Sequence, residues 1–220
     1  MIYRKDHIPK GTACNRRPAL PMNATTITIH NTGNPSSSAA NERAWLTNPS
    51  NTRTASYHIV VDAKEAIECL PLNESAWHAG DGSGVKSGNR TSIGIEICEY
   101  NYEQSLSNAV KLVAQMLKER GWGVDRLRRH WDWSGKVCPR LMYDGGKWTG
   151  WNEFKARVAD ELASKESEDM EKAKVYVDGK KIEDGFILEG RVYVPLRAVG
   201  EALGAKVGWD NKEKIATLTK

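Results

Sequence analysis

Several features are scarce or missing in this sequence, and each absence removes a class of protein. No apolar run approaches the roughly 20 residues that a membrane-spanning helix requires, so we expect no membrane partner. Positive charge within residues 1–7 is not followed by an apolar segment, so this stretch does not match a secretory signal. The sequence therefore predicts a chain that is made in a cytoplasm and leaves it by another route if its target lies outside.

Cysteine is also scarce, with four residues that form no C-x-x-C pair. In a chain without a secretory signal, the wide spacing of Cys14, Cys69, Cys98 and Cys138 indicates reduced thiols rather than a disulfide framework. We expect Cys14 and Cys69 to be structural or incidental. Cys138 is then available as a thiolate ligand.

Strong charge of one sign is missing as well. The formal net charge is +4, and the tract formed by Arg126, Arg128 and Arg129 is too short to indicate nucleic-acid binding. With 220 residues, of which 40% are hydrophobic and 27% charged, the chain has the composition of a soluble globular protein with one or two domains.

The stretch from residue 129 to residue 139 contains the most chemistry in the chain. It places an imidazole (His130), a cation (Lys136) and a thiol (Cys138) within ten residues. His130 and Cys138 are too far apart for one helical face, and Gly135 lies between them, so we expect a loop that folds back onto one metal ion. A catalytic zinc needs a third protein ligand and an open position for water.

His30 is the best candidate for that third ligand. It ends the alternating run of residues 26–30, in which Ile27 and Ile29 point to one face of a strand and His30 to the other. Taken alone, each of these residues has a plainer interpretation, because a single His or Cys is more often a packed or surface residue. Their combination with Lys136 favours the metal site.

A second alternating run, residues 92–98, places a carboxylate in the middle of a strand. Ile93, Ile95 and Ile97 share one face, and Glu96 lies on the other. The sequence alone favours a solvated face for Glu96, since a carboxylate is costly to bury without a partner. A buried catalytic carboxylate is the alternative.

Four separated motifs follow one another along the chain: His30 at a strand end, Tyr57-His58, Thr91-Ser92-Ile93-Gly94-Ile95-Glu96, and His130-x5-Lys136-x-Cys138-Pro139. In this order they resemble the zinc-dependent N-acetylmuramoyl-L-alanine amidases, over about residues 20–160. The resemblance implies an α/β fold, with a central mixed β-sheet flanked by helices. It also implies one Zn²⁺ per catalytic domain, held by His30, His130 and Cys138.

The resemblance further implies hydrolysis of the amide bond between N-acetylmuramic acid and L-alanine in bacterial peptidoglycan. Glu96 would act as general base, and Lys136 would stabilise the oxyanion. Tyr57 could share the catalytic work, and the resemblance leaves the division between Tyr57 and Glu96 open. Glu99 is then an ordinary surface charge.

Substrate contacts are expected from residues beside these motifs. We assign His78, Trp77 and Trp131 to substrate binding, because flat aromatic faces pack well against sugar rings and peptide stems. Other tryptophans, among them Trp45 and Trp122, are expected in the core. His58 points away from Tyr57 in its strand and is expected to be structural.

Composition divides the chain into a catalytic domain (residues 1–163), a charged linker or helix extension (164–173) and a small α+β module (174–220). The module resembles the N-terminal domain of copper amine oxidases, by Gly190-Arg191-Val192-Tyr193-Val194-Pro195-Leu196-Arg197 and Ala202-Leu203-Gly204-Ala205. It contains no His, Cys or Met, so we expect no copper site. Attachment to the cell wall and self-association are its two alternative roles.

Two other classes of function are considered beside the enzyme. The first is a non-catalytic peptidoglycan-binding protein of the same fold, although such proteins typically lose the cysteine ligand that this chain keeps. The second is a structural zinc module, which would require a fourth protein ligand. The missing signal favours an endolysin made in the host cytoplasm that acts on the bacterial wall after release.

Overall fold

The computed structural model describes residues 1–168, 171–188 and 190–220, with backbone alone for 165–168. These residues form two units, Met1–Ala163 and Ser164–Lys220. Residues 169–170 of the predicted linker lie outside the described residues, as does Glu189.

Six strands form one mixed sheet at the centre of the first unit. Its order is β1-β4-β3-β5-β2-β6, and every neighbouring pair is parallel except β3 with β4. The predicted mixed sheet is therefore confirmed. The strands are β1 (Ile2–Lys5), β2 (Thr26–Asn31), β3 (Ile59–Val61), β4 (Glu65–Glu68), β5 (Ser92–Ile97) and β6 (Leu127–Arg129).

Five α-helices flank this sheet: α1 (Ala39–Trp45), α2 (Gly88–Thr91), α3 (Tyr102–Lys118), α4 (Trp131–Ser134) and α5 (Thr149–Glu168). The hydroxyl of Ser38 begins α1 by accepting a hydrogen bond from the Asn41 backbone. Helix α5 continues through Glu168, so the first half of the predicted linker is helical. Within the described parts of the chain, no helix combines the length and the apolar character that crossing a membrane requires.

The two faces of the sheet differ, as the alternation in β2 and β5 predicts. Ile27, Ile29 and the three isoleucines of β5 are fully buried in one core with residues of α3 and α5. Each such side chain contributes roughly 1.5–3 kcal/mol through burial. The opposite face of the same strands presents His30 and Glu96, which are paired in register. The apolar face thus fixes the position of two polar side chains.

The N-terminal segment contains a strand that the sequence did not reveal. Residues 2–5 pair in parallel with β4 at the edge of the sheet. Arg4 donates from Nε to Glu65 at 2.7 Å, and the hydroxyl of Tyr3 hydrogen bonds with Glu68. This edge strand is short and charged, which explains why no apolar pattern predicted it.

Beyond the end of α5, the described residues of the second unit form short antiparallel strands and one helix. Three sheets are seen there, with the orders β11-β10-β7, β8-β9 and β12-β13. A turn at Asp178-Gly179 joins β8 to β9, with positive φ angles of 49° and 77°. The elements are β7 (Glu171–Ala173), β8 (Tyr176–Val177), β9 (Lys180–Lys181), β10 (Gly185–Leu188), β11 (Arg191–Tyr193), α6 (Leu196–Ala202), β12 (Lys206–Asp210) and β13 (Ile215–Thr219).

Candidate metal centre

Three predicted ligands come together on the polar face of the sheet. His30 lies near the end of β2, His130 follows β6, and Cys138 lies in the loop after α4. Nδ1 of His30 is 3.1 Å from Nδ1 of His130 and 3.6 Å from Sγ of Cys138. One donor atom from each residue lies within 4.8 Å of the other two. All three side chains are buried.

A chain of hydrogen bonds fixes the tautomer of His30. The carbonyl of Ser92 can only accept, so Nε2 of His78, 3.0 Å away, must donate to it. Nδ1 of His78 is then an acceptor, and Nε2 of His30 donates to it across 3.1 Å. The lone pair on His30 Nδ1 is left pointing towards His130 and Cys138. This is the outer support that a metal-binding histidine requires.

The other two candidate ligands also have outer partners. His130 hydrogen bonds with the backbone of Ala79, and Cys138 hydrogen bonds with the backbone of Asn31. Buried Asn89 supports this arrangement, because its Oδ1 accepts from the backbone N–H groups of His78 and Ala79 at 2.7 and 2.8 Å. Every donor atom is therefore held in place before any ion binds.

Burial controls the protonation of this cluster. It lowers the pKa of His130 to about 4, with the Lys136 charge as the next cause. Burial, followed by the neighbouring His78, lowers the pKa of His30 well below its usual value. Both imidazoles are thus neutral at pH 7 and able to donate a lone pair. Burial also raises the pKa of the Cys138 thiol to about 12, so a cation is needed to stabilise the thiolate.

This donor set fits a metal ion with an open coordination position. Two neutral nitrogens and one sulfur are the donors that transition metals prefer. Among the described residues, the group contains three His, Cys, Asp or Glu side chains and no fourth. A closed structural site needs four protein ligands, so the arrangement does not support that alternative.

Glu96 lies beside the three candidate ligands, in the β5 position paired with His30. Its Oε2 is buried and has no hydrogen-bond partner. Burial, with the nearby Glu42 as the next cause, raises the pKa of Glu96 to about 8, although the charge of Lys136 acts in the opposite direction. A buried carboxylate oxygen without a partner is costly, so Glu96 does not lie on the solvated face that the sequence alone favours.

A cavity of about 400 Å³ opens over this cluster. Its lining includes eight of the nine predicted site residues: His30, Tyr57, Trp77, His78, Glu96, His130, Lys136 and Cys138. Sequence reasoning missed several other lining residues, among them Glu42, Trp45, Asn51 and Arg53. These four come from helix α1 and the polar loop after it, where no motif distinguishes them.

Trp131, the ninth predicted site residue, does not line this cavity, so its assignment to substrate binding is not supported. It packs against Tyr143 and Trp148, with ring centroids 6.1 and 5.8 Å away. The assignment of Trp45 to the core was wrong: its side chain is 43% exposed and lines the cavity.

Three further residues have partners that sequence reasoning did not provide. Both ring nitrogens of His78 are used within the protein, so the ring supports His30 and is not free to bind substrate. The Tyr57 hydroxyl donates to the Glu42 carbonyl at 2.8 Å. Glu99 is a buried ion-pair partner of Arg140 rather than a surface charge.

His58 has the structural role that its strand position predicts. Its Nδ1 accepts from the Gly94 backbone at 2.9 Å, and its Nε2 lies 2.8 Å from the Glu74 carbonyl. Gly94 also leaves room for His78, since a Cβ there would come within 2.6 Å of that ring. His58 therefore links the start of β3 to β5, and it makes no hydrogen bond to any of the three candidate ligands.

Fold and site together define an α/β protein with a candidate metal site and a carboxylate beside it. Residues 20–141 match the family model described as N-acetylmuramoyl-L-alanine amidase, which covers more than half of the chain. The chain belongs to this family. Residues 172–220 match the model described as the copper amine oxidase N-terminal domain.

Curated relatives from Bacillus subtilis (strain 168) carry the same family description. The chain is 49% identical to the N-acetylmuramoyl-L-alanine amidase XlyB over 146 residues, which is 64% of this chain and 44% of XlyB. It is 49% identical to the amidase CwlA over 133 residues, 58% of this chain and 47% of CwlA. The chain thus spans about half the length of these relatives.

Solved structures cover the first unit more completely. The catalytic domain of XlyA is similar with a TM-score of 0.64 and 40% identity, over 72% of this chain and 99% of that domain. PlyL is similar with a TM-score of 0.62 and 35% identity, over 72% of this chain and 97% of that chain.

Proposed function

We propose that this protein is a zinc-dependent amidase that cleaves the bond between N-acetylmuramic acid and L-alanine in bacterial peptidoglycan. Membership of the amidase family supports the reaction class. The observation that carries the proposal is that His30, His130 and Cys138 lie together in one cavity that Glu96 also lines. A receptor that only binds the wall has no need for this combination.

His30, His130 and Cys138 would hold the zinc ion. Their chemistry suits it, since two neutral imidazoles and a thiolate leave a fourth position open. When bound, zinc polarises a carbonyl and makes water more acidic. The outer partners His78, Ala79 and Asn31 keep the three donor atoms aimed at one point.

Glu96 is proposed as the group that moves the proton. Its unpartnered Oε2 would take a proton from the attacking water and deliver it to the nitrogen of the leaving L-alanine. A pKa of about 8, set by burial, makes Glu96 a ready proton donor. To act as a base, Glu96 must be ionised, and nearby positive charge favours the ionised form. Lys136 provides such a charge, since it lowers the pKa of Glu96.

Lys136 is proposed to stabilise the oxyanion, because it lines the same cavity as Glu96 and its charge lowers the pKa of that carboxyl group. Tyr57 has a weaker claim to catalysis. Its hydroxyl already donates to the Glu42 carbonyl, and burial raises its pKa well above the usual value, so it does not ionise. We therefore give Glu96 the acid and base role and leave Tyr57 a supporting one.

Product analysis tests this proposal. Purified peptidoglycan is digested with the zinc-loaded chain, and mass analysis should find new free amino ends on L-alanine. New reducing sugar ends would contradict an amidase. Wall binding without any cleavage would favour the non-catalytic protein of the same fold.

Two substitutions test the residue roles. Glu96→Gln and Lys136→Ala should each keep a full complement of zinc and lose roughly a hundredfold or more in turnover. Glu103→Gln, an exposed substitution of the same kind on α3, is the matched control and should keep wild-type turnover. Wild-type turnover in Glu96→Gln would show that this carboxylate does not transfer the proton.

The partner and place of action follow from the same proposal. We propose that the chain acts on the bacterial wall and that residues 174–220 attach it there. Self-association is the alternative role of this module, and a chain truncated at Ala163 distinguishes the two roles. Release from the cytoplasm by a separate membrane-permeabilising protein, as in an endolysin, is part of this proposal.

A further inference from the structure

A second cavity adjoins the one that contains the candidate metal ligands. Its volume is about 410 Å³, and it shares Thr32, Glu42 and Trp45 with the first. The remaining lining comes from the segment between β2 and the middle of α1. The two cavities therefore form one continuous groove, with Glu42 and Trp45 at the junction.

The second cavity is lined by neutral polar side chains and one aromatic ring. Asn34, Ser36 and Asn41 contribute amide and hydroxyl groups, and Trp45 contributes an exposed indole. The only charged lining residue is Glu42, which is buried and has a raised pKa, mainly because of that burial. Neutral hydrogen-bonding groups beside an aromatic face suit a sugar ring better than a charged peptide.

Two polar groups in this cavity lack partners within the described residues. The Oγ1 of Thr32 is buried without a hydrogen bond. The Oδ1 of Asn41 accepts from the Ser38 hydroxyl at 2.9 Å, which leaves the amide N–H groups of Asn41 free to donate. Buried polar atoms are normally satisfied, so the unpaired Thr32 hydroxyl indicates a ligand that supplies the missing bond.

The part of the groove outside the second cavity has a different character. Its lining, which belongs to the first cavity alone, includes Arg53 and Trp77. Among the described side chains, no carboxylate pairs with the Arg53 guanidinium, which is exposed. A free cation suits a peptide that carries carboxylates.

We propose that the second cavity is a subsite for the N-acetylated glycan, and that the stem peptide extends towards Arg53. This inference rests on the proposed function, because that substrate has a sugar on one side of the scissile amide and a peptide on the other. Hydroxyl and acetamide groups of the sugar would bond with Asn41 and Thr32 and pack on Trp45. The reverse orientation would place the stem peptide in the second cavity. Kinetics with two soluble substrates distinguish the two orientations.

The test compares two soluble substrates that share one stem peptide and the scissile amide. One carries the disaccharide on the lactyl group, and the other is a lactoyl-peptide without sugar. The zinc-loaded full chain should show a higher kcat/KM for the disaccharide substrate. Asn41→Ala should lower the ratio of the two kcat/KM values by roughly threefold to tenfold, and Trp45→Ala by about tenfold.

Two controls define the outcome. Asn152→Ala, the same change on an exposed position of α5, should leave the ratio unchanged. Arg53→Ala should lower kcat/KM for both substrates by a similar factor, so that the ratio stays constant. A ratio that is insensitive to Asn41 and Trp45 but collapses in Arg53→Ala would reverse the orientation and overturn the inference.

Failure of the proposed function gives a different result, namely no cleavage of either substrate by the wild-type chain. Equal cleavage of both by the wild type would overturn the glycan subsite while leaving the amidase intact. A binding measurement tests the subsite without relying on turnover. Glycan strands stripped of peptide should shift the NMR signals of residues 32–41, whereas shifts confined to residues around Arg53 would overturn the inference.

Discussion

The two units of this chain use their apolar residues in opposite ways. In the first unit, Ile27, Ile29, Ile93 and Ile95 are completely buried. In the second, large apolar residues remain exposed, with Trp209 at 56% and Val192 at 57%. Among the described residues of the second unit, Ala205 is the only hydrophobic one that is buried.

This difference shows where the molecule can support buried chemistry. Neutral histidines and an unpartnered carboxylate oxygen destabilise a fold, and only a large core offsets that cost. The first unit has such a core on the other face of the same strands. The second is a module of about 50 residues, a size at which a core is marginal, and it contains no histidine or cysteine. Chemistry therefore belongs to the first unit.

The largest expected effect comes from removing a metal ligand in the first unit. Cys138→Ser should lose zinc and all amidase activity, because a hydroxyl is not an anionic donor at neutral pH. Metal analysis and peptidoglycan digestion measure the two losses. Sedimentation with purified walls should stay at the wild-type level, which would separate the two units by function.

Cys14→Ser is the matched control for this prediction, because that thiol is exposed and outside the metal group. It should keep zinc and activity. Full zinc content and full activity in Cys138→Ser would remove Cys138 from the ligand set and with it the main contrast between the units.

Core packing gives the next largest effect. Phe154 is 1% exposed and stacks on Trp151, so Phe154→Ala should lower the free energy of unfolding of the first unit by about 3–5 kcal/mol. Trp209→Ala removes a larger but exposed side chain from the second unit and should cost within about 0.5 kcal/mol. Urea unfolding of the full chain measures both. A similar loss of unfolding free energy for both substitutions would contradict the difference between the two units.

Strands β2 and β5, and the face on which they present His30 and Glu96, could be predicted from the sequence because alternation carries the information. In residues 26–30 and 92–98, isoleucine at every second position determines which face is buried, and His30 and Glu96 follow on the other face. Strand β6 has one apolar residue, Leu127, followed by two arginines. No periodicity exists over three residues, so β6 could not be found in this way.

The groove residues were missed for a different reason. Glu42 and Trp45 lie on the short helix α1, where sequence alone gives no reason to separate them from ordinary surface or core positions. They line the groove because α1 packs near β3 and β4, a tertiary contact with no local signal. The role of His78 likewise depends on the distance between two rings, which no motif specifies.

Acid should destabilise the first unit through its buried histidines. Burial lowers the pKa of His58 to about 4 from the usual 6.5. Below pH 6.5 the unfolded chain therefore binds a proton that the folded chain does not, and stability falls as the pH drops towards 4. The loss from His58 reaches up to about 3 kcal/mol, from the size of that shift.

Urea unfolding at pH 7 and pH 5 tests this prediction. His58→Gln keeps a donor and an acceptor but does not titrate, so its stability should fall less between the two pH values. The second unit contains no histidine and should show no histidine-dependent loss over this range. An identical pH dependence in wild type and His58→Gln would show that His58 is not the titrating group.

The outer support of the metal site gives a smaller effect. His78→Leu removes the acceptor for Nε2 of His30, so we expect zinc affinity to weaken by about 10- to 100-fold in chelator competition. His58→Leu is the matched control, since it removes an equally buried histidine that has no hydrogen bond to a ligand. It should bind zinc within about twofold of wild type. Equal losses in both variants would indicate a general packing defect instead.

The smallest expected effect is that of removing the second unit on soluble substrates. The cluster of buried apolar residues that forms the main core lies within residues 22–158, so a chain ending at Ala163 should fold, bind zinc and cleave soluble muropeptides within about twofold of the intact rate. On whole walls its activity should fall by roughly tenfold or more, because attachment raises the local concentration of enzyme at an insoluble substrate. Unchanged wall activity, together with a lower oligomeric mass after truncation, would assign the second unit to self-association. Loss of activity on soluble muropeptides would show instead that the first unit depends on the second for its fold or its chemistry.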